Sequence, residues 1–139
     1  ALDENITALR LIKKQHLLAL VLFKQLLSDI LNDISGKAQN EKEIHYYTSK
    51  EIPGNGEVSI EWSINKIYAF LRSLDYGPLQ LLGTPCIAVN GKKYGWRTYK
   101  WLNTSVNITE KSIFQKDKEI VISEGNESIV LEDIFIKEG

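Results

Sequence analysis

The sequence predicts an α+β fold, two helices followed by a small antiparallel β module, and three observations carry that prediction. Apolar residues recur at helical intervals in two segments of the first half of the chain. Beyond Pro85 the spacing changes to short β-rich runs. Between two of those runs lies Asn90-Gly91, the strongest short-range hairpin signal. With 139 residues, 43% of them hydrophobic, the chain can bury one core of its own.

The first element is a long helix. From Thr7 to Ile34, Leu9, Ile12, Ala19, Phe23, Leu26, Leu27, Ile30, Leu31 and Ile34 keep helical spacing, with Lys13, Lys14, Lys24 and Asp33 on the other side. Thr7 is placed to cap its N-terminus, and Gly36 to end it in the left-handed conformation. Its middle, Leu17 to Phe23, is apolar around the whole circumference, so it is expected to be covered on more than one side. Residues 37–61 carry charges and then Pro53, Gly54, Asn55 and Gly56, which reads as an extended crossing with a turn. The second helix starts at Ser63 as N-cap and places Ile64, Ile67, Phe70, Leu71 and Leu74 on one stripe. It stops at Tyr76-Gly77-Pro78.

Cys86 to Val89 and Lys92 to Trp101 then form a hairpin through a type I′ turn at Asn90-Gly91. Further strands are expected near Ser112 to Gln115, at Glu119 to Ser123 and at Ser128 to Lys137, the last two separated by a turn at Glu124-Gly125-Asn126-Glu127. Five short strands of this kind suggest a small, partly open OB-like β-barrel. The segments divide as 1–36 (first helix), 37–80 (linker and second helix) and 81–139 (β module).

Charge and composition then exclude several functions. Seventeen basic and 18 acidic side chains give a net charge of -1, which removes any general pull on nucleic acid or anionic membrane. The run Leu17 to Phe23 falls far short of the roughly 20 apolar residues that cross a bilayer. The N-terminal Ala1-Leu2-Asp3-Glu4 is acidic where a secretory signal is basic, so the expected compartment is the cytoplasm. One Cys and two His without ligand spacing suggest no metal site.

Catalytic groups are scarce as well. His16, among leucines of the first helix, reads as a core or groove-lining histidine, His45 as a packing or surface residue, and Cys86 as a small buried hydrophobe. No phosphate loop, nucleophile elbow or HExxH helix is present. One local patch departs from the neutral average. Lys92, Lys93, Arg97 and Lys100 alternate with Tyr94, Trp96, Tyr99 and Trp101. This is a pattern that binds nucleic acid or a phosphorylated carrier if the side chains are exposed together. The competing reading sends the aromatic residues inward and leaves the lysines to keep an edge strand soluble. The candidate binding residues are therefore Lys92, Lys93, Trp96, Arg97, Tyr99, Lys100 and Trp101. Asp117, Glu119, Glu124, Glu127, Glu132, Asp133 and Glu138 follow them and would repel a polyanion.

Several ordered motifs resemble the folate-dependent formyltransferases, a superfamily that includes methionyl-tRNA formyltransferase and the sugar N-formyltransferases. They are the string from Tyr46-Tyr47 through Pro53-Gly54-Asn55-Gly56-Glu57, then Ile60-Glu61-Trp62-Ser63, then Ile67-Tyr68-Ala69-Phe70-Leu71-Arg72, with Leu74-Asp75-Tyr76-Gly77. They look like the segment joining that family's two domains, with Glu61 standing where the family usually has Asp. Gly91 to Arg97 and Ile120 to Leu131 are similar to strands of its C-terminal OB-like domain, and Thr7 to Ile34 matches the last long helix of its catalytic domain. The resemblance implies a C-terminal portion whose parent transfers a formyl group from 10-formyltetrahydrofolate to an amine. The family's catalytic Asn, His and Asp motifs have no counterpart in this chain, so no catalytic, cofactor-binding or metal residue is assigned. The Leu74-Asp75-Tyr76-Gly77 and Leu82-Gly83-Thr84-Pro85 versions look closer to the small-molecule branch, with a nucleotide sugar or carrier-bound amino acid as acceptor, than to the tRNA enzyme. The alternative is a non-catalytic OB-like module recognising nucleic acid, tRNA included, or a protein partner. The all-round apolar stretch of the first helix adds the expectation of a homo-oligomer.

Overall fold

The computed structural model describes residues 3–38, 40, 42, 44, 48, 51–79 and 83–137. Among the described residues, two α-helices and six strands make an α+β architecture. Helix α1 spans Ala8–Leu31 and begins as its sequence predicts, with the Thr7 hydroxyl accepting from Arg10 N. It ends earlier than expected: Asn32 is the C-cap, and Asp33, not Gly36, takes the left-handed conformation at φ 50°. Asn can close a helix by its own side chain, and Asn32 Nδ2 donates to Ser28 O at 2.7 Å.

A 3₁₀ turn at Pro53–Gly56 leads into strand β1, Glu57–Val58. Gly54 (φ 59°) and Asn55 (φ 53°) are both left-handed there. A Cβ on Gly54 would lie 2.8 Å from Trp62 Cη2, so the ring and the turn fit only because position 54 lacks a side chain. Helix α2, Ile64–Ser73, is capped by Ser63, whose hydroxyl accepts from Lys66 N. Its stripe of Ile64, Ile67, Phe70 and Leu71 is buried. A second acceptor completes that end, because Glu124 Oε2 takes the Ile64 N–H at 2.7 Å, where a carboxylate also meets the positive end of the helix dipole.

Strands β2 (Cys86–Val89) and β3 (Lys92–Gly95) form the expected hairpin, with Val89 opposite Lys92 and both turn residues left-handed (Asn90 φ 51°, Gly91 φ 74°). The long strands β4 (Thr98–Lys116) and β5 (Glu119–Glu132) pair antiparallel, and β6 is Phe135–Ile136. One sheet has the order β1-β2-β3-β6 and the other is the β4-β5 ribbon. The core lies between α2 and these sheets. Ile67, Ile87, Ile120, Ile122, Ile129 and Leu131 are wholly buried in it, each removing an aliphatic side chain from water for about 1.5–3 kcal/mol.

Several expectations are corrected. The α+β class is as expected; the strands among the described residues form two sheets with no closed barrel, so they do not establish the partly open OB-like barrel. Within residues 81–139 every strand pair is antiparallel, as expected; the addition is β1, from the linker, which runs parallel to β2 with Glu57 opposite Cys86. Residues 92–101 are not one strand: β3 stops at Gly95 and β4 starts at Thr98. The segment near Ser112 to Gln115 is the end of β4. Glu124 to Glu127 is no turn but part of β5, where left-handed Gly125 (φ 63°) faces Ile108 across a register shift. Such a bulge absorbs an irregularity without ending the strand. It is closed inside by a 2.8 Å hydrogen bond between the buried Ser123 and Ser128 hydroxyls. Only Phe135–Ile136 of the expected last strand leaves the ribbon to pair with β3. His16 is exposed instead of lining a core, and no residue of α1 is buried. Cys86 is buried, as read, and His45 lies outside the described residues.

Candidate functional site

Strand alternation disperses the basic, aromatic hairpin. Lys92 and Arg97 are exposed. Lys93 Nζ lies 2.7 Å from Glu57 Oε2, a bond that raises the lysine's pKa. Lys100 Nζ lies 2.5 Å from Glu132 Oε1, and Thr98 Oγ1 donates to Glu132 Oε2 at 3.0 Å. The lysine's hydrogen bond holds the Glu132 carboxyl below its ordinary value. Trp96 is buried in the core. Tyr99 and Trp101, two apart on β4 and so on one face, both pack against Tyr68 of α2, at ring distances of 6.1 and 4.6 Å. Two of the four cations are thus engaged by carboxylates, and the aromatic residues serve the junction with α2.

The side chains that converge are different ones. Arg72, on the last turn of α2, stacks on Tyr68 at 4.8 Å and donates through Nη1 to Glu4 O. Asp75, just past the helix, accepts from Gly77 N at 2.9 Å and from Tyr99 OH at 3.0 Å, while its backbone oxygen accepts from Leu9 N of α1 at 3.0 Å. Burial, then the charge and hydrogen bond of Asp75, push the Tyr99 phenol up from its ordinary value. At Gly77 (φ 62°) a Cβ would lie 2.9 Å from Leu9 Cδ2. The residues Tyr68, Arg72, Asp75, Gly77 and Tyr99 therefore form a joint that ties the start of α1 to the end of α2 and to β4. Periodicity alone does not single them out. The available signals were the Tyr68/Arg72 spacing of four on one helix and the Asp75-x-Gly77 pattern of a turn closed by a side chain.

A second joint surrounds Trp62. Its ring packs edge-on to Phe70 at 5.3 Å, Lys66 Nζ lies 4.7 Å from it, and Lys111 Nζ donates to Trp62 O. Cation–π and backbone contacts of this kind fix the loop before α2 against β4. Chemically, both clusters position elements. Among the described residues no group of three or more His, Cys, Asp or Glu converges on a point where a metal could sit. No described helix is long and apolar enough to cross a membrane.

The remaining prominent surface is α1. Leu17, Leu18, Leu20, Val21, Leu22, Phe23, Leu26 and Leu27 are 46–66% exposed, and Leu31 is 85% exposed. Compared with protein families, curated proteins and solved structures, the chain matches none of them.

Proposed function

We propose that this chain is the C-terminal segment of a 10-formyltetrahydrofolate-dependent formyltransferase, transferring a formyl group to the amine of a small molecule such as a nucleotide sugar or a carrier-bound amino acid. In this reading the chain is inactive by itself and works in the cytoplasm as the accessory part of an enzyme whose catalytic Asn, His and Asp belong to a preceding body. The carrying observation is the architecture of the motifs behind the resemblance. Gly54, Trp62, Ser63, Arg72, Asp75 and Gly77 each hold a turn, a cap or a contact that fastens α1 and α2 to the sheets. That is what a segment joining a catalytic body to a C-terminal module must do. The exposed apolar length of α1 supports the same reading, because a helix whose middle turns, Leu17 to Phe23, are apolar all round is made to be covered by more than its own module. The sheet module takes the place of the family's OB-like domain, although its sheets do not close.

Formyl transfer needs a base poised near neutrality and a donor for the tetrahedral oxyanion. The described residues bring no such pair together, so binding and positioning are the tasks left to this segment. A small acceptor is favoured over tRNA because Lys93 and Lys100 already hold carboxylates and each phosphate contact of a tRNA would need its own cation.

Two measurements test the reading. The coding sequence upstream of Ala1 is expected to continue in frame with a His-x-Ser-Leu-Leu-Pro motif, and a stop codon directly upstream overturns it. The purified chain is expected to give no turnover of 10-formyltetrahydrofolate with any amine, and detectable turnover overturns the non-catalytic assignment. Titration with bulk tRNA at low and moderate salt separates the acceptors. Micromolar, salt-sensitive binding lost in Lys92→Ala/Lys93→Ala/Arg97→Ala favours the nucleic-acid module instead.

A further inference from the structure

We infer that a cleft between α2, β4 and the segment before α1 binds a neutral saccharide ring. Its walls bound a space of about 480 Å³, within the roughly 300–1,000 Å³ of small-molecule sites. Helix α2 contributes Asn65, Tyr68 and Arg72, spaced three and then four apart and so on one face. Strand β4 contributes Trp101 and Asn103, two apart and so on one side of the strand. Glu4 and Asn5 close the third side, fastened by the Arg72 Nη1 bond to Glu4 O.

The chemistry of the walls selects the ligand. Trp101 is partly buried and borders the cleft, offering an aromatic surface to the C–H face of a sugar ring. The side chains of Asn5, Asn65 and Asn103 are exposed around it, and each amide carries two N–H donors and an oxygen acceptor. That mixture suits hydroxyl groups, which both donate and accept. Asn103 also stands in a strand, where Asn is disfavoured, and β4 shifts register between it and Ile108; such irregularities re-aim side chains beside binding sites. The charged side chains lining the cleft are Arg72 and Glu4, one of each sign, so an anionic ligand gains nothing over a neutral one. A nucleobase fits less well. Tyr68 carries Arg72 at 4.8 Å from its ring and lies tilted by 47° to Trp101, so the two rings make no parallel-sided slot for a flat base. The inference does not depend on the proposed function, since the cleft is built wholly from this chain and its occupancy is read without folate or an amine.

Proton–nitrogen correlation spectra of the full chain, titrated with methyl glucoside, methyl galactoside and N-acetylglucosamine, test it. At least one of these sugars is expected to move the Trp101 indole N–H and the side-chain amide signals of Asn65 and Asn103, saturating with a dissociation constant on the order of 1 mM. The indole signals of Trp62 and Trp96, the other tryptophans, are expected to stay in place. Asn65→Ala and Asn103→Ala, both at exposed positions, are each expected to weaken binding roughly fivefold, on the scale of one hydrogen bond, with the spectrum unchanged away from the cleft. Trp101→Phe keeps a ring against Tyr68 and is expected to weaken binding as well. Three results overturn the inference: no sugar moving these signals at concentrations far above that constant, sugar-induced shifts centred on Trp62 or Trp96 instead, or binding indifferent to both Asn substitutions. Adenosine or thymidine moving the cleft signals where the sugars do not overturns the saccharide assignment.

Discussion

Replacing Asp75 tests whether the joint between α1, α2 and β4 rests on one carboxylate. Asp75→Ala removes the acceptor of Tyr99 OH (3.0 Å, part-buried) and of Gly77 N (2.9 Å, exposed). Hydrogen bonds to a charged group contribute about 1.5–3 kcal/mol, and a half-buried phenol left without its partner adds to the loss. The exposed Gly77 amide turns to water, so about 2 kcal/mol is expected in all, most of it from Tyr99. Tyr99→Phe, which leaves Asp75 its Gly77 contact, should cost about 1 kcal/mol. In the double variant the phenol is gone already, so the two losses should overlap by about 1 kcal/mol. Urea unfolding followed by tryptophan fluorescence gives each value. Alkaline pH offers an independent reading. The folded pKa of Tyr99 is raised above the unfolded value of about 10, so the stability from the neutral phenol is whole below about pH 10 and is lost as pH rises toward the folded value. Burial is the larger cause and survives the substitution; Asp75→Ala should therefore shrink, without abolishing, the fall in stability above pH 10. Strict additivity of the two single substitutions, together with an unchanged alkaline profile, would show that the carboxylate and phenol do not act as a pair.

Three further substitutions probe the elements around that joint. Gly54→Ala meets both a left-handed φ of 59° and Trp62 at 2.8 Å; a loss of at least about 2 kcal/mol is expected, the conformation alone accounting for about 1, and a loss below 0.5 by urea titration would refute the close approach (about the noise of surface changes). Glu124→Ala exposes the Ile64 N–H and should lower stability by about 1 kcal/mol. Glu124→Gln keeps the bond and should recover part of it, with the remainder shrinking in high salt, and equal losses would discard the charge effect. Ser123→Ala leaves the buried Ser128 hydroxyl unpaired and should cost about 1–3 kcal/mol, whereas Ser123→Ala/Ser128→Ala should cost less than the sum of the two single changes. A thermal-melting series that finds them additive removes the pair from the account of the bulge.

Local signals were legible where a residue's own backbone preference decides the outcome. Thr7 and Ser63 cap the helices they precede, and the Asn90-Gly91 turn closes the hairpin it was expected to close. The stripe of α2 is the buried one. The long ribbon was not legible, because Gly125 and the acids around it look like a turn in sequence. Their role as a bulge is fixed only by the pairing of Ile108 with Gly125 and by the Ser123–Ser128 bond inside. The candidate site fared the same way: alternation told that neighbours on β4 face opposite ways, but not which face would meet Tyr68.

By itself, then, the sequence determined the α+β class, the helix starts, the hairpin turn, the burial of Cys86 and the apolar girth of the first helix, since each follows from propensity, capping and period within a short window. Tertiary structure decided how the strands divide into two sheets and that β1 joins β2 in parallel. It also turned the hairpin's lysines toward Glu57 and Glu132 while Asp75, Arg72 and Tyr99 meet at a joint. The physical reason is separation along the chain. A capped turn or an amphipathic stripe is settled by residues a few places apart. The Lys93–Glu57, Lys100–Glu132 and Tyr99–Asp75 contacts join residues 36, 32 and 24 places apart, and only tertiary packing brings them within reach.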